Sequence, residues 1–416
     1  MKRFALKYTA QLRFFGTALV TSITISLVTL LFSRVVDFLA LLPQSLPWLT
    51  FSLPLAALLS YGIYRLFGID FASSTSSVMA DIRSGRGSPP ALAPSVFIST
   101  CLTIVAGGAV GKEAASLQMG SSLSAALGET SGLAPHHNRA LARCGVAAAF
   151  ATLVGAPLAS AVLSYEMARR KLCDKFAAVM AVLSAFVGYG IGAAAKMPWL
   201  NVRLEYANLL DAKMLASCAA GILIGVLFCL GIKGIRALSG KFRSKWPLVV
   251  MAGLAVAALA LLLGGDPVSG TGWAQMSSAF SGGSDWTILA ARFAAPVLLL
   301  GAGYKGGEIM PMMAVGAVAG SLMAIVLEAD PACGAAVGMV SCFAASTNTP
   351  ATSLLLGCEL FGFQFIVFFA LAAVAAYALT TNISLFGNES RFADAWRWEL
   401  SSSLRSGNSS SGKSSS

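Results

Sequence analysis

The chain has 416 residues, 56% of them hydrophobic and only 11% charged, against about 25% charged in ordinary soluble domains. Apolar runs are so many that a one-helix anchor or a simple receptor is excluded, and an integral membrane protein is indicated. The net charge of +11 does not mark a nucleic-acid partner, because the basic residues gather in short hydrophilic gaps, at Lys2 to Arg13, Arg139 to Arg143, Arg169 to Lys175 and Lys233 to Lys245. That distribution follows the positive-inside pattern and predicts those gaps in the cytoplasm.

Residues 1–15 read as a basic cytoplasmic N-terminus. The apolar region after them is too long for a signal peptide and lacks a clear cleavage site, so it is expected in the mature protein. Runs long enough to span, about 20 residues each, follow at Gly16 to Leu42, Trp48 to Phe67, Leu92 to Val110, Ala177 to Ala195 and Leu215 to Ile232. Further runs lie at Leu248 to Leu263, Ile288 to Gly303, Met312 to Leu327, Gly334 to Ala345 and Phe363 to Leu379, several broken by Gly and Pro. The last residues, "SSSLRSGNSSSGKSSS", are low-complexity sequence that cannot bury a core, and 391–416 is expected to be a helix end and a disordered tail.

Within this apolar background "GGAVGKEAASLQMG", residues 107–120, holds a Lys-Glu pair. A Walker A loop would need glycine at 106 and Ser or Thr at 113. The chain has Ala106 and Glu113, and a glutamate facing phosphates would repel them. The eight cysteines are scattered, without C-x-x-C or a nearby His cluster, so neither a disulfide framework nor a metal site is expected. His136 and His137 sit together between Pro135 and Asn138 and read as a solvated polar loop.

Two segments repeat. "GVAAAFATLVGAPLASAVLSYEM" (Gly145 to Met167) and "GMVSCFAASTNTPATSLLLGCEL" (Gly338 to Leu360) align without a gap at an offset of 193, matching at Gly145/Gly338, Phe150/Phe343, Ala151/Ala344, Pro157/Pro350, Ser160/Ser353, Leu163/Leu356 and Glu166/Glu359. Upstream of each lies a G-x-E, Gly111-Lys112-Glu113 and Gly306-Gly307-Glu308. Two membrane repeats, 16–200 and 201–390, are therefore expected, and duplicated halves in a polytopic protein point to a transporter with its site between the repeats near mid-membrane.

The physics of the breaks fits that reading. Glycines permit close backbone approach, and the helix that starts after each break directs free N–H groups and a positive dipole end into it, a setting that binds anions. Met310-Pro311 opens the second such helix, where proline has no N–H to lose. Gly316 and Gly320 then allow close helix packing. An ionisable residue at this depth is a functional candidate. Glu113 can occupy the anion position when charged and leave it when protonated, which makes a proton-coupled gate. The alternatives are a structural pair with Lys112 for Glu113, and a helix cap for Glu308. Glu166 and Glu359 close proline-started helices and read as packing or vestibule residues.

These residues resemble the CLC chloride channels and anion/proton antiporters. Their G-[RK]-E-G-P motif is approached by Gly111-Lys112-Glu113-Ala114-Ala115, with Gln118 and Gly120 following. Their G-G-x-F-x-P motif is approached by Gly306, Gly307 and Pro311, with Gly316 and Ala317 beyond. The resemblance covers roughly residues 16–390. It implies an all-α polytopic membrane protein, a CLC-like inverted repeat of tilted, partly broken helices, assembled as a homodimer in the plasma membrane with both termini cytoplasmic. Halide anions and protons are the expected partners in the lipid bilayer, and no cofactor is expected.

"KGGEIMP" is most similar to the fluoride/proton antiporter branch, and Met167 stands where chloride/proton antiporters carry a second, proton-passing glutamate. The resemblance places Thr75 and Ser76 nearest the anion-binding hydroxyl, joined at the anion by Gly111, Lys112, Ala114, Ile309, Met310 and Phe386, with Glu113 and Glu308 moving protons. Three positions depart from the pattern: Met310 replaces the threonine of the fluoride branch, Phe386 a tyrosine, and Ala114 a glycine. Fluoride transport and chloride transport, coupled or passive, both stay open, whereas a membrane hydrolase lacks its G-x-G-D or helical His.

Overall fold

A computed structural model describes residues 2–387 apart from 85–86, 134, 168–174, 201, 203, 205–211, 243, 266 and 381–382, with backbone alone for 2–10, 135 and 136. The basic gap at 169–174, the His136 side chain and the 391–416 tail lie outside the described residues.

The first half runs through α1 (Lys2–Leu39), α2 (Leu42–Ser45), a 3-10 turn (Pro47–Ser52), α3 (Leu53–Leu66), α4 (Thr75–Ser84), α5 (Leu92–Val105), α6 (Glu113–Thr130), α7 (Pro135–Val154), α8 (Pro157–Glu166) and α9 (Lys175–Ala194). The second follows with α10 (Ala212–Lys241), α11 (Trp246–Leu263), α12 (Trp273–Ala279), α13 (Trp286–Ala302), α14 (Ile309–Val326), α15 (Pro331–Thr347), α16 (Pro350–Phe361), a 3-10 turn (Phe363–Phe365) and α17 (Ile366–Leu379).

Six described stretches are long and apolar enough to cross a membrane: Gln11–Ser45, Pro47–Leu66, Lys175–Ala194, Ala212–Lys241, Trp246–Leu263 and Ile309–Val326. Four runs expected to span form helices of fewer than about 20 residues: α5 and α17 have 14 residues, α13 and α15 have 17. At 1.5 Å per residue, 14 residues reach about 21 Å, short of a core about 30 Å thick. The cause is local. Gly107 (φ 74°), Gly303 (φ 104°) and Asn348 (φ 54°) adopt left-handed backbone and stop their helices. Broken backbone at such depth survives only when wrapped in protein, and residues 106–122 are all buried. Outward faces are apolar instead, with Leu223, Leu261 and Val374 exposed.

The expected loop at 135–138 is a further correction. Those residues form the first turn of α7, and the His137 ring stacks on Phe14, with centroids 5.1 Å apart. Proline at a helix start and an aromatic partner hold the histidine in the helix.

The duplication is visible as inverted geometry. Gly155 (φ 76°) and Asn348 (φ 54°) break the chain at equivalent positions, and Ala156 and Thr349 precede their prolines with φ, ψ of −119°, 82° and −121°, 78°. Each half then caps the other. The Glu359 carboxylate accepts from Leu158 N (2.9 Å) and Ala159 N (2.8 Å), while Glu166 accepts from Ala351 N (3.0 Å), Thr352 N (2.8 Å) and Thr352 Oγ1 (2.6 Å). Both α8 and α16 thus present their C-terminal glutamate to the other's N-terminus, so the helices lie antiparallel. Each carboxylate satisfies amides that a helix start leaves open. Glu359→Ala is expected to lower stability by about 1–2 kcal/mol while preserving flux per folded molecule; thermal melting in detergent and liposome flux, run side by side, check this.

Close packing of α14 on α15 explains Gly316 and Gly320. A Cβ at Gly320 would lie 2.1 Å from the Gly334 carbonyl oxygen, and one at Gly316 would lie 2.4 Å from Cys342 Cβ. Gly320→Val is therefore expected to force the helices apart, at a cost of about 3 kcal/mol or more, and to abolish the monodisperse peak in size-exclusion chromatography.

Candidate functional site

The two glycine-rich breaks meet. Gly111 N donates to Gly307 O and Gly307 N to Gly111 O, both at 2.7 Å, a two-bond antiparallel bridge between the halves. A Cβ at Gly306 (φ 153°) would stand 2.3 Å from Val110, and one at Gly307 would stand 2.9 Å from the Ala114 amide nitrogen. Only glycine lets the backbones come this close. The starts of α6 and α14 are thereby held side by side in the protein interior, where 83% of the α14 span is buried.

Glu113 lies at this bridge and is 5% exposed. Its carboxylate accepts from Lys112 N at 3.1 Å. The Lys112 ammonium turns elsewhere, to Asp37 Oδ1 (2.5 Å) and Ser33 Oγ (2.8 Å) on α1. A side-chain ion pair between Lys112 and Glu113, the structural alternative, is therefore absent: lysine braces the C-terminal end of α1 and leaves the glutamate against the start of α14, beside Gly111 and Met310.

Glu308 faces a different space, a cavity of about 520 Å³ lined by Tyr64, Thr75, Gln118, Arg236, Lys305 and Glu308 among others. Although Glu308 occupies the N-cap position of α14, its side chain makes no capping bond. It interacts with the Thr75 hydroxyl and feels the positive charge of Arg236. Gln118 Nε2 donates to Thr75 Oγ1 at 3.1 Å, so Thr75 links α6 to the cavity wall. Thr75 also starts α4, whose opening turn is ordered by Ser74 N donating to Ser77 Oγ (2.9 Å).

Of the expected site residues, Thr75 for the anion and Glu308 for the proton line the cavity, and Gly111, Lys112, Glu113 and Ala114 lie at the bridge. Ile309 and Met310 are buried at the start of α14. Ser76 does not line the cavity. Its hydroxyl shares a hydrogen bond with Ser74 Oγ (2.9 Å), and Ser73 and Ser74 line the wall instead, because the helix turns residue 76 away. Phe386 is fully buried and also outside the lining, its carbonyl held by Arg83 Nη2 at 3.1 Å. Lys305 and Arg236 in the cavity lining and Asp37 beside Lys112 were not singled out from the sequence. The available signal was a lone charge in an apolar setting for Lys305 and Asp37, whereas Arg236 is one of several charges in a basic gap.

The sequence profile of the family described as voltage gated chloride channel matches residues 55–381. This chain belongs to the CLC family. Among curated relatives, the CLC chain is 28% identical over 357 residues to a chloride/fluoride channel protein of Pseudomonas syringae pv. tomato, covering 82% of this chain and 78% of that one. It is also 28% identical over 296 residues to an H⁺/Cl⁻ exchange transporter, ClcA, of Yersinia pestis, covering 64% and 60%. In fold it is similar to the crystal structure of a CLC-type fluoride/proton antiporter, with TM-score 0.82, 23% identity, and 90% and 96% of the two chains covered. A slow cyanobacterial Cl⁻/H⁺ antiporter follows at TM-score 0.75, 20% identity, and 94% and 98% covered.

Proposed function

We propose that this CLC anion transporter is a fluoride/proton antiporter that exports halide across the plasma membrane. The observation that carries the reading is the Glu308 side chain, which leaves its helix uncapped and faces the cavity beside Thr75. Fluoride is small and strongly hydrated, so a site that accepts it must replace water with hydrogen-bond donors. A protonated carboxylic acid is such a donor, whereas an ionised one repels the anion. Glu308 in its protonated form donates to fluoride and carries a proton in the same step, which compensates for Met167 where chloride/proton antiporters have glutamate.

Glu113 works on the other side of the Gly111–Gly307 bridge. Ionised, it fills the anion position at the start of α6; protonated, it withdraws and the anion passes. The cavity opens to the cytoplasm on this reading, since its rim residues Arg236 and Lys245 belong to a basic gap. Both termini are cytoplasmic, residues 16–200 and 201–390 form the two repeats, and the protein works as a homodimer in the bilayer.

A chloride/proton antiporter or passive chloride channel is the second reading, favoured by Met310, which offers no hydroxyl to a hydrated anion. Efflux of fluoride against chloride from proteoliposomes, with and without a pH gradient, decides between them. Fluoride efflux that drives proton uptake is expected; chloride efflux at equal or greater rate overturns the first reading in favour of the second.

A further inference from the structure

Lys305 stands directly before Gly306-Gly307-Glu308, where the first half has Val110. Its ammonium donates to the carbonyl oxygens of Phe71 and Ser73, the latter at 3.1 Å. It also lies 4.4 Å from the centroid of the Tyr64 ring and 4.2 Å from that of Phe71. One side chain of the second half is thus tied to the first-half segment that leads into Thr75. Carbonyls and aromatic faces steady an ammonium without cancelling its charge, and among the described residues Lys305 makes no ion pair within 4 Å. Arg236 and Lys245 line the same cavity, against one acid besides Glu308, Asp70. Positive charge therefore extends from Arg236 and Lys245 to Lys305.

We propose that Lys305 is the positioning residue for the transported anion on the cavity side, drawing a halide from the rim cations onto the Thr75 hydroxyl beside Glu308. The inference rests on the anion-transport reading but not on the choice of fluoride over chloride. A purely structural pin is the competing role, and Lys305→Gln separates the two, because its amide still donates to the Phe71 and Ser73 carbonyls but carries no charge.

The test measures initial transport rate against anion concentration in proteoliposomes, for fluoride and for chloride, at several ionic strengths set with an impermeant salt. Lys305→Gln is expected to raise the half-saturating concentration about tenfold, with the maximal rate within about threefold of wild type. Lys305→Arg should saturate close to wild type. Added salt screens the exposed Arg236 and Lys245 in both proteins and should leave the difference between them in place, since a buried charge is screened little. A Lys305→Cys protein supplies an independent arm if the glutamine variant does not fold: aminoethylation of the thiol restores an ammonium and should restore saturation, whereas methylthiolation should not. Wild-type saturation in Lys305→Gln, loss of the difference between the two proteins at high salt, or no recovery on aminoethylation overturns the inference alone. A wild type that moves neither anion overturns the transport reading and this inference with it.

Discussion

Glu308→Ala is expected to reduce fluoride efflux about 100-fold and to abolish the proton movement linked to it, while chloride leak changes by less than about fivefold. The size follows from one lost hydrogen bond to a charged partner, about 1.5–3 kcal/mol, at a place where water cannot fully replace the donor. Fluoride suffers most because it gives up the most hydration on entering. The alanine side chain leaves the Gly111–Gly307 bridge untouched, since that bridge is backbone alone, and α14 loses no cap because Glu308 supplies none. Fluoride-electrode traces and a pH dye recorded on the same liposomes check both halves of the expectation. Normal transport of both anions in Glu308→Ala would leave Glu308 without a role in selectivity and make chloride the better reading.

Glu113→Gln is expected to reduce proton-driven anion uptake to the background of protein-free liposomes. Glutamine has the shape of the protonated acid but neither gains nor loses a proton, so the switch between filling and vacating the anion position disappears. Any remaining anion flux follows the anion gradient alone. The substitution is mild for the fold, because the Lys112 ammonium is anchored on Asp37 and Ser33 rather than on Glu113. Unchanged uptake under an imposed pH gradient would show that Glu113 serves the structure only.

Much of the architecture was legible from the residues. Composition gave a polytopic membrane protein, and the gapless 193-residue offset gave two halves, because a duplicated proline, a duplicated closing glutamate and duplicated chain breaks are local features that sequence displays directly. Glu166 and Glu359 were readable as packing residues. That each caps the helix of the opposite half was not, since Glu166 lies 186 residues from Thr352 and Glu359 200 from Ala159, and only the inverted arrangement brings these groups together.

The site divides in the same way. Gly111, Glu113, Gly307 and Glu308 announce themselves, as glycines and carboxylates in an apolar stretch have few other reasons to be there, and the start of a helix after a glycine break is set by nearby residues. The run at Leu92 to Val110 was read too long, because hydropathy counts apolar residues but does not see the left-handed backbone at Gly107 that ends α5 at Val105. Which hydroxyl faces the cavity was decided by tertiary structure: Thr75 and Ser76 are neighbours in sequence, yet one turns toward Gln118 and Glu308 and the other toward Ser74. The direction of Lys112 was decided there too, by Asp37 75 residues away. Charge, hydropathy and chain breaks are properties of residues and their immediate neighbours, so the sequence by itself determined them. The partner that a buried polar group finds depends on which distant segments the packed helices bring within about 3 Å, and that is settled only when the two halves are folded against each other.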